Sequence, residues 1–204
     1  KQLDGFLSSG ERADGSSLFS YIEAGSSDLY VVPRFRTAFI NPFSEIPTLD
    51  ILCSYFNKDG LPLISSPEYV LRKAQETLIK QTGFTFETMG ELEYYVISNN
   101  QELYPAIDQK GYHESVPFVK WERLRTEAMH TIAKTGGLIK YGHSEVGNFV
   151  LGNTLYEQNE IEFLPTNVED AADQLIIAKW ILKMIAYKYG ATLSFAPKIT
   201  VGKA

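Results

Sequence analysis

The segment Gly90-Glu91-Leu92-Glu93-Tyr94-Tyr95-Val96-Ile97 constrains this chain more than any other. It is apolar and rich in strand-forming residues, so it reads as a β-strand. Alternate residues of a strand point to one face, which sets Glu91 and Glu93 side by side. Two carboxylates ~7 Å apart within a sheet repel each other unless something cancels the charge. Two readings stand at this point. A hard divalent cation such as Mg²⁺ or Mn²⁺ is the usual remedy, because it prefers carboxylate oxygens. The other reading is a solvated strand face with two ordinary surface acids.

The rest of the chain narrows the choice. Its 204 residues are 44% hydrophobic, enough for a sizeable core in one or two domains. The formal charge of −6, without a basic run, argues against a nucleic-acid partner. No apolar stretch is long enough to span a membrane, and no signal peptide opens the sequence. Cys53 is the only cysteine, which excludes an intrachain disulfide and a zinc–cysteine cluster. A reducing, cytoplasmic setting is the simplest expectation.

Turns and short strands dominate the first part. Asp14-Gly15-Ser16-Ser17 reads as a loop. Leu29 to Val32, Thr37 to Ile40 and Leu49 to Phe56 read as strands, punctuated by Pro33, Asn41-Pro42 and Asp59-Gly60. Ser66 then caps a helix with Pro67 in its first turn, which runs to about Gln81 and stops at Gly83. A second helix is expected from about Val119 to Lys134, ending at Gly136-Gly137. Strand Leu138 to Tyr141, a Gly/Asn-bearing loop from Gly147 to Asn153 and strand Gln158 to Leu164 follow. The longest helix starts near Asn167 or Val168, with Glu169, Asp170 and Asp173 at its positive end, and stops at Gly190. Strand Thr192 to Ala196 comes last. The fold class is α+β, a mostly antiparallel sheet with helices on one side after a β-rich section. The boundary falls near Leu61 to Ser66, giving domains 1–62 and 63–204.

Two further acids sit on or beside strands. Glu145 lies in Tyr141-Gly142-His143-Ser144-Glu145-Val146, and Glu160 in Gln158-Asn159-Glu160-Ile161-Glu162-Phe163. With Glu91 and Glu93 they would supply oxygens for one or two divalent ions, the arrangement used for phosphoryl transfer from ATP. The plainer reading of each is an exposed strand-end carboxylate.

The order of these motifs resembles the glutamine synthetase family, from about Asp14 to Lys198. Asp14-Gly15-Ser16-Ser17 is similar to the family's Asp-Gly-Ser-Ser loop. Phe35 to Asp50, with Asn41-Pro42-Phe43, resembles the strand pair closing its β-grasp domain. Glu91-Leu92-Glu93 is similar to its metal-binding Glu-x-Glu strand, and Lys110-Gly111-Tyr112 to the Gly-Tyr before a core helix. His143-Ser144-Glu145 and Gln158-Asn159-Glu160 resemble its His-x-Glu and Gln-x-Glu segments. Ser194-Phe195-Ala196-Pro197-Lys198 is similar to its Phe-Met-Pro-Lys strand.

The resemblance implies the C-terminal part of a β-grasp domain followed by the first half of a glutamine-synthetase-type catalytic domain. It implies ligation of ammonia to L-glutamate through γ-glutamyl phosphate, with ATP and two or more Mg²⁺ or Mn²⁺ ions, in nitrogen metabolism. Glu93, Glu145 and Glu160 would hold the metal beside the substrate carboxylate, and Glu91 the metal that bridges the ATP phosphates. Asp14, carried into a neighbouring subunit's site, would help deprotonate ammonium, with Ser17, Tyr112 and Glu145 completing the ammonium pocket. Stacked-ring homo-oligomers, with sites between subunits, are the implied assembly.

Departures limit the carry-over. Glu145 and Glu160 lie further apart than in the common pattern, with the extra segment at Asn148 to Tyr156. Lys140 stands where many members have an acid near the nucleotide. Pro165 replaces an aromatic that touches adenine, for which Phe163 is the expected substitute, and Lys198 is a candidate phosphate contact. The chain ends where the family's Gly-Ser-Gly-Met-His segment would begin, and the front of the β-grasp domain is missing. The expectation is therefore a chain truncated at both ends and inactive alone. The rival readings are a γ-glutamyl ligase for a larger amine such as a polyamine, and a non-catalytic scaffold. Retention of the ammonium-pocket residues favours ammonia over the first, and retention of the acids argues against the second. His143 is expected in a supporting role beside the acids, His113 and His130 on the surface, Trp121 and Trp180 in the core, and Cys53 as a buried inert thiol.

Overall fold

Each apolar run of the sequence becomes a strand or a helix, and the polar punctuation between them decides where pairing stops. The computed structural model describes residues 3–200, in two units that divide between Phe86 and Glu87. Every strand pair is antiparallel among the described residues.

The first unit opens with helix α1 (Leu3–Ser9), closed by Gly10 at a φ of 76°. Strand β1 (Glu11–Asp14) leads into a single helical turn, α2 (Gly15–Leu18), and then to β2 (Asp28–Pro33). The Asp-Gly-Ser-Ser stretch is thus a strand end and a capped turn rather than a free loop. The sequence from Thr37 to Ile40, expected as a strand, contributes only β3 (Phe39–Ile40), because Phe35–Thr37 forms a 3₁₀ turn. The expected strand from Leu49 to Phe56 is two strands, β4 (Leu49–Asp50) and β5 (Cys53–Asn57). The break has a cause in that turn. Leu52 donates its N–H to Thr37 Oγ1 at 3.0 Å and accepts from Arg34 N–H at 2.9 Å, so its backbone is spoken for. Strand β4 pairs with β3, while β5 joins β2 in a three-stranded sheet of order β1-β2-β5. Helix α3 (Pro67–Thr82) ends where the sequence predicts, at Gly83 in the left-handed region with φ 75°. Ser66 occupies its cap position, but its hydroxyl faces the Glu68 carboxylate at 3.5 Å and caps no backbone N–H. Cys53 is half-buried rather than buried, and burial pushes its thiol pKa up.

The second unit is built on a sheet of order β12-β7-β10-β8. Its strands are β7 (Glu91–Asn99), β8 (Ile139–Ser144), β10 (Thr154–Phe163) and β12 (Thr192–Ser194). Short β6 (Glu87–Thr88) pairs with β11 (Thr166–Asn167) beside it. The segment expected as a loop before Asn153 holds β9 (Phe149–Leu151), which pairs back on Thr154 to Tyr156 across a Gly152-Asn153 turn. The wide spacing between Glu145 and Glu160 is therefore a β-hairpin, tied by stacked Phe149 and Tyr156 rings 4.5 Å apart.

Helices α4 (Glu122–Lys134) and α5 (Val168–Lys188) pack on one another and on the sheet. Asn167 caps α5 by accepting the Asp170 N–H at 3.0 Å. Leu92, Tyr94 and Val96 of β7 and Ile161 and Phe163 of β10 are buried with Leu124, Ala128, Ile132, Ile181, Leu182 and Ile185 of the helices. Trp121 and Trp180 are half-buried at the margin of this core.

A polar network joins α4 to β10. Glu157, fully buried, accepts the backbone N–H of Lys120 at 2.6 Å and of Trp121 at 3.0 Å. Asn159 accepts from buried Arg125 of α4. Glu157 thus caps the two amides just before α4, which starts three residues later than the sequence predicts. Burial pushes the Glu157 pKa up, against the pull of these hydrogen bonds. Replacing Glu157 with Ala strands two amides in the interior and is expected to cost about 1–3 kcal/mol per unpaired group. Urea unfolding measures this; an unchanged midpoint contradicts the role given to Glu157.

Candidate functional site

Strand alternation sorts the residues of the second unit onto two faces. In the β7–β10 ladder Glu93 lies opposite Glu160 and Glu91 opposite Glu162, while Glu160 lies opposite His143 of β8. Directly paired residues share a face. Glu91, Glu93, Glu160, Glu162, His143 and Tyr141 thus stand on the face away from the helices. Gln158, two residues before Glu160, stands there too and donates to Glu93 Oε2 at 2.7 Å.

Glu145 follows β8. Its backbone N–H is held by Gln158 O at 2.8 Å, and its carboxylate accepts the Val146 N–H at 2.9 Å. Its Oε1 is 3.7 Å from His143 Nδ1. The segment carrying Tyr112 runs alongside, with His113 N–H on Ser144 O at 3.0 Å. A Cβ on Gly111 would lie 2.4 Å from the Glu145 carbonyl and from the Asn148 side chain, so this approach requires glycine. Tyr112 is exposed and sets its ring edge-on to His143, centroids 5.3 Å apart.

The electrostatics are those of crowded like charge. The Glu160 pKa is pushed up to about 7, first by burial, then by Glu145, Glu91, Glu93 and Glu162. The other three expected metal ligands, with Glu162, act together at this one carboxyl group. Lys140 relieves the far edge by pairing with Glu162 at 2.7 Å. Lys140 is the extra residue of a β-bulge, between Tyr141 opposite Glu162 and Ile139 opposite Phe163. Hydrogen bonds from Lys140 and Tyr141 pull the Glu162 pKa down. The same bond to Glu162 pushes the Tyr141 pKa up to about 12. Carboxylates that crowd one another at a shielded face are the donor set of a hard divalent cation, so these residues fit Mg²⁺ or Mn²⁺.

Other expected site residues are placed differently. Phe163 is 0% exposed on the helix-covered face, because it alternates away from Glu162, so the structure does not bring its ring to the acids. Lys198 is exposed after β12, and no contact among the described residues ties it to the acids. Asp14 and Ser17 belong to the first unit and hold each other. Ser17 Oγ donates to Asp14 Oδ2 at 2.6 Å, and Ser16 donates to Asp14 Oδ1 at 3.0 Å from its N–H and 2.8 Å from its hydroxyl. These bonds, with one from Ser27, hold the Asp14 carboxyl well below the usual carboxylate range. Glu162 and Gln158 were missed by sequence reasoning, although the i±2 rule applied to Glu91 and Glu93 finds both when applied to Glu160.

The sequence matches two family models. Residues 1–58 match the glutamine synthetase beta-Grasp domain, and residues 65–204 the glutamine synthetase catalytic domain. The chain belongs to the glutamine synthetase family. Among curated members, the glutamine synthetase of Thermus thermophilus is 30% identical over 97% of this chain and 44% of its own length. That of Nostoc sp. is 30% identical over 96% and 47%, and that of Thermotoga maritima 27% identical over 96% and 44%. A cryo-EM structure of Plasmodium falciparum glutamine synthetase superposes with a TM-score of 0.83 at 19% identity, over 98% of this chain and 43% of that one, and so shares the fold. The chain thus spans less than half the length of these relatives. No described helix is long and apolar enough to cross a membrane.

A pH dependence follows from Glu160. Its folded-state pKa lies above the ordinary 4.5, so the metal-free folded chain binds more protons than the unfolded chain between about 4.5 and 7. The stability it contributes is full below that window and lost as pH rises through it. Urea midpoints of the metal-free protein are expected to fall from pH 4.5 to pH 7.5. In Glu160→Gln the fall should be smaller; an identical slope in both contradicts the assignment.

Proposed function

We propose that the protein carrying this chain ligates ammonia to L-glutamate with ATP, through γ-glutamyl phosphate. The reading is supported by one observation above all, four carboxylates, Glu91, Glu93, Glu145 and Glu162, crowding Glu160, in a chain of this family. Residues 1–62 are taken as the β-grasp part and 63–204 as the catalytic part, and the setting as cytoplasmic.

Glu93, Glu145 and Glu160 would hold one Mg²⁺ or Mn²⁺ ion and Glu91 would contribute to a second. Bound there, the ions neutralise phosphate charge and steady the transferring group. The γ-carboxylate of glutamate is a poor electrophile until phosphorylated, and ammonium is no nucleophile until it loses a proton. Glu145, beside Tyr112, offers a carboxylate that attracts ammonium and accepts that proton. Asp14 stays ionised at neutral pH and would serve the same end from a neighbouring subunit of a ring-shaped homo-oligomer, with Ser17 fixing its rotamer. Lys198 would reach a phosphate. Water must be kept from the acyl phosphate, and closure of the site between subunits would do so.

The test is ADP release by the intact protein with glutamate and ammonium, against a panel of organic amines. Dependence on both substrates and a preference for ammonium are expected. Glu93→Gln and Glu160→Gln should each lower kcat/KM by a hundredfold or more, on the order of 3 kcal/mol of transition-state stabilisation. A preference for any organic amine overturns the ammonia assignment, and ADP release indifferent to Glu93→Gln overturns the site.

A further inference from the structure

His143 faces Glu160 with its other ring nitrogen held by a backbone carbonyl. Its Nδ1 lies 3.0 Å from the Ser144 carbonyl oxygen, which only accepts, so Nδ1 carries the proton. Nε2 then faces Glu160 Oε2 at 3.5 Å, too long for a hydrogen bond. A ring nitrogen and a carboxylate oxygen that face each other at this distance, both buried, leave room for a shared cation. A backbone carbonyl on one imidazole nitrogen is also what orients metal-bound histidines through the other.

Glu162 completes a triangle. One ligand atom from each of His143, Glu160 and Glu162 falls within a cluster 4.8 Å across, and the three residues are 7%, 6% and 7% exposed. Two ligands at about 2.1 Å from an ion stand roughly 3–3.5 Å apart across a coordination edge, so modest side-chain movement closes the set. The pieces are held in advance. The His143 ring is stacked between His113 at 4.3 Å and Tyr141 at 5.4 Å, with Tyr112 on its edge. Lys140 and Tyr141 fix the Glu162 carboxylate from its outer side.

We propose that His143, Glu160 and Glu162 form a metal position of their own, sharing Glu160 with the position assigned to Glu93, Glu145 and Glu160. An imidazole and two carboxylates suit a first-row transition ion such as Mn²⁺, Co²⁺ or Zn²⁺ better than Mg²⁺, which keeps oxygen and water ligands. The proposal does not rest on the ligase reading, because metal binding is read directly.

The experiment uses metal-stripped protein loaded with Mn²⁺ in excess Mg²⁺ and examined by pulsed EPR for ¹⁴N coupling from a ligating imidazole. Wild type and Glu91→Gln are expected to show the coupling, and His143→Gln to lose it. Absence of coupling in wild type, or its persistence in His143→Gln, overturns the proposal. Should His143→Gln fail to fold, Glu162→Gln decides. Affinity for Co²⁺, followed by its visible absorption, should fall about tenfold or more, and an unchanged affinity overturns the site.

Discussion

Repulsion among carboxylates on one side of strand β10 is the constraint on which the rest of this structure turns. Strand β10 is central, and from Leu155 to Phe163 every residue except Tyr156 is buried. Alternation then leaves no choice. Glu157, Asn159, Ile161 and Phe163 meet the helices, while Gln158, Glu160 and Glu162 meet the acids of β7. One strand carries both the anchor of α4 and the middle of the charged face. A one-residue register slip would exchange the two sets and destroy both.

The polar residues on the helix side make the charged side possible. Glu157 and Asn159 fix α4 through backbone amides and Arg125, so the sheet is braced from behind where its front is electrostatically strained. On the front, partial remedies are built in. Gln158 donates to Glu93, a backbone amide serves Glu145, and Lys140 answers Glu162. Glu160, at the centre, receives none of these, and its raised pKa is the residual strain. A divalent ion would remove that strain, which couples the stability of this face to its use.

Much of this was legible in the sequence because local rules governed it. The Glu91/Glu93 strand, the Gly83 stop of α3 and the start of α5 near Asn167 follow from period, the helix-ending glycine and the acids of the first turns. What was not legible depended on partners distant in sequence. The break at Leu52 is made by the Thr37 hydroxyl, and the amides before α4 are capped by Glu157 from strand β10. The hairpin from Phe149 to Tyr156 was read as a loop because its strands are short, although Gly152-Asn153 is a turn signal. Strand alternation set Glu91 and Glu93 on one face, and the structure brings Glu145 and Glu160 close to them. Phe163 was offered to a nucleotide as a replacement aromatic, but its parity on β10 commits it to the core.

The central claim is that these acids bind divalent cations and that Glu160 is the ligand at their centre. The most direct measurement is Mn²⁺ binding to metal-stripped protein at pH 7.5, counted from the EPR signal of the free ion. The account predicts binding by wild type and at least about tenfold weaker binding by Glu160→Gln, with Glu93→Gln similarly impaired. Equal Mn²⁺ binding by wild type and both variants would contradict it.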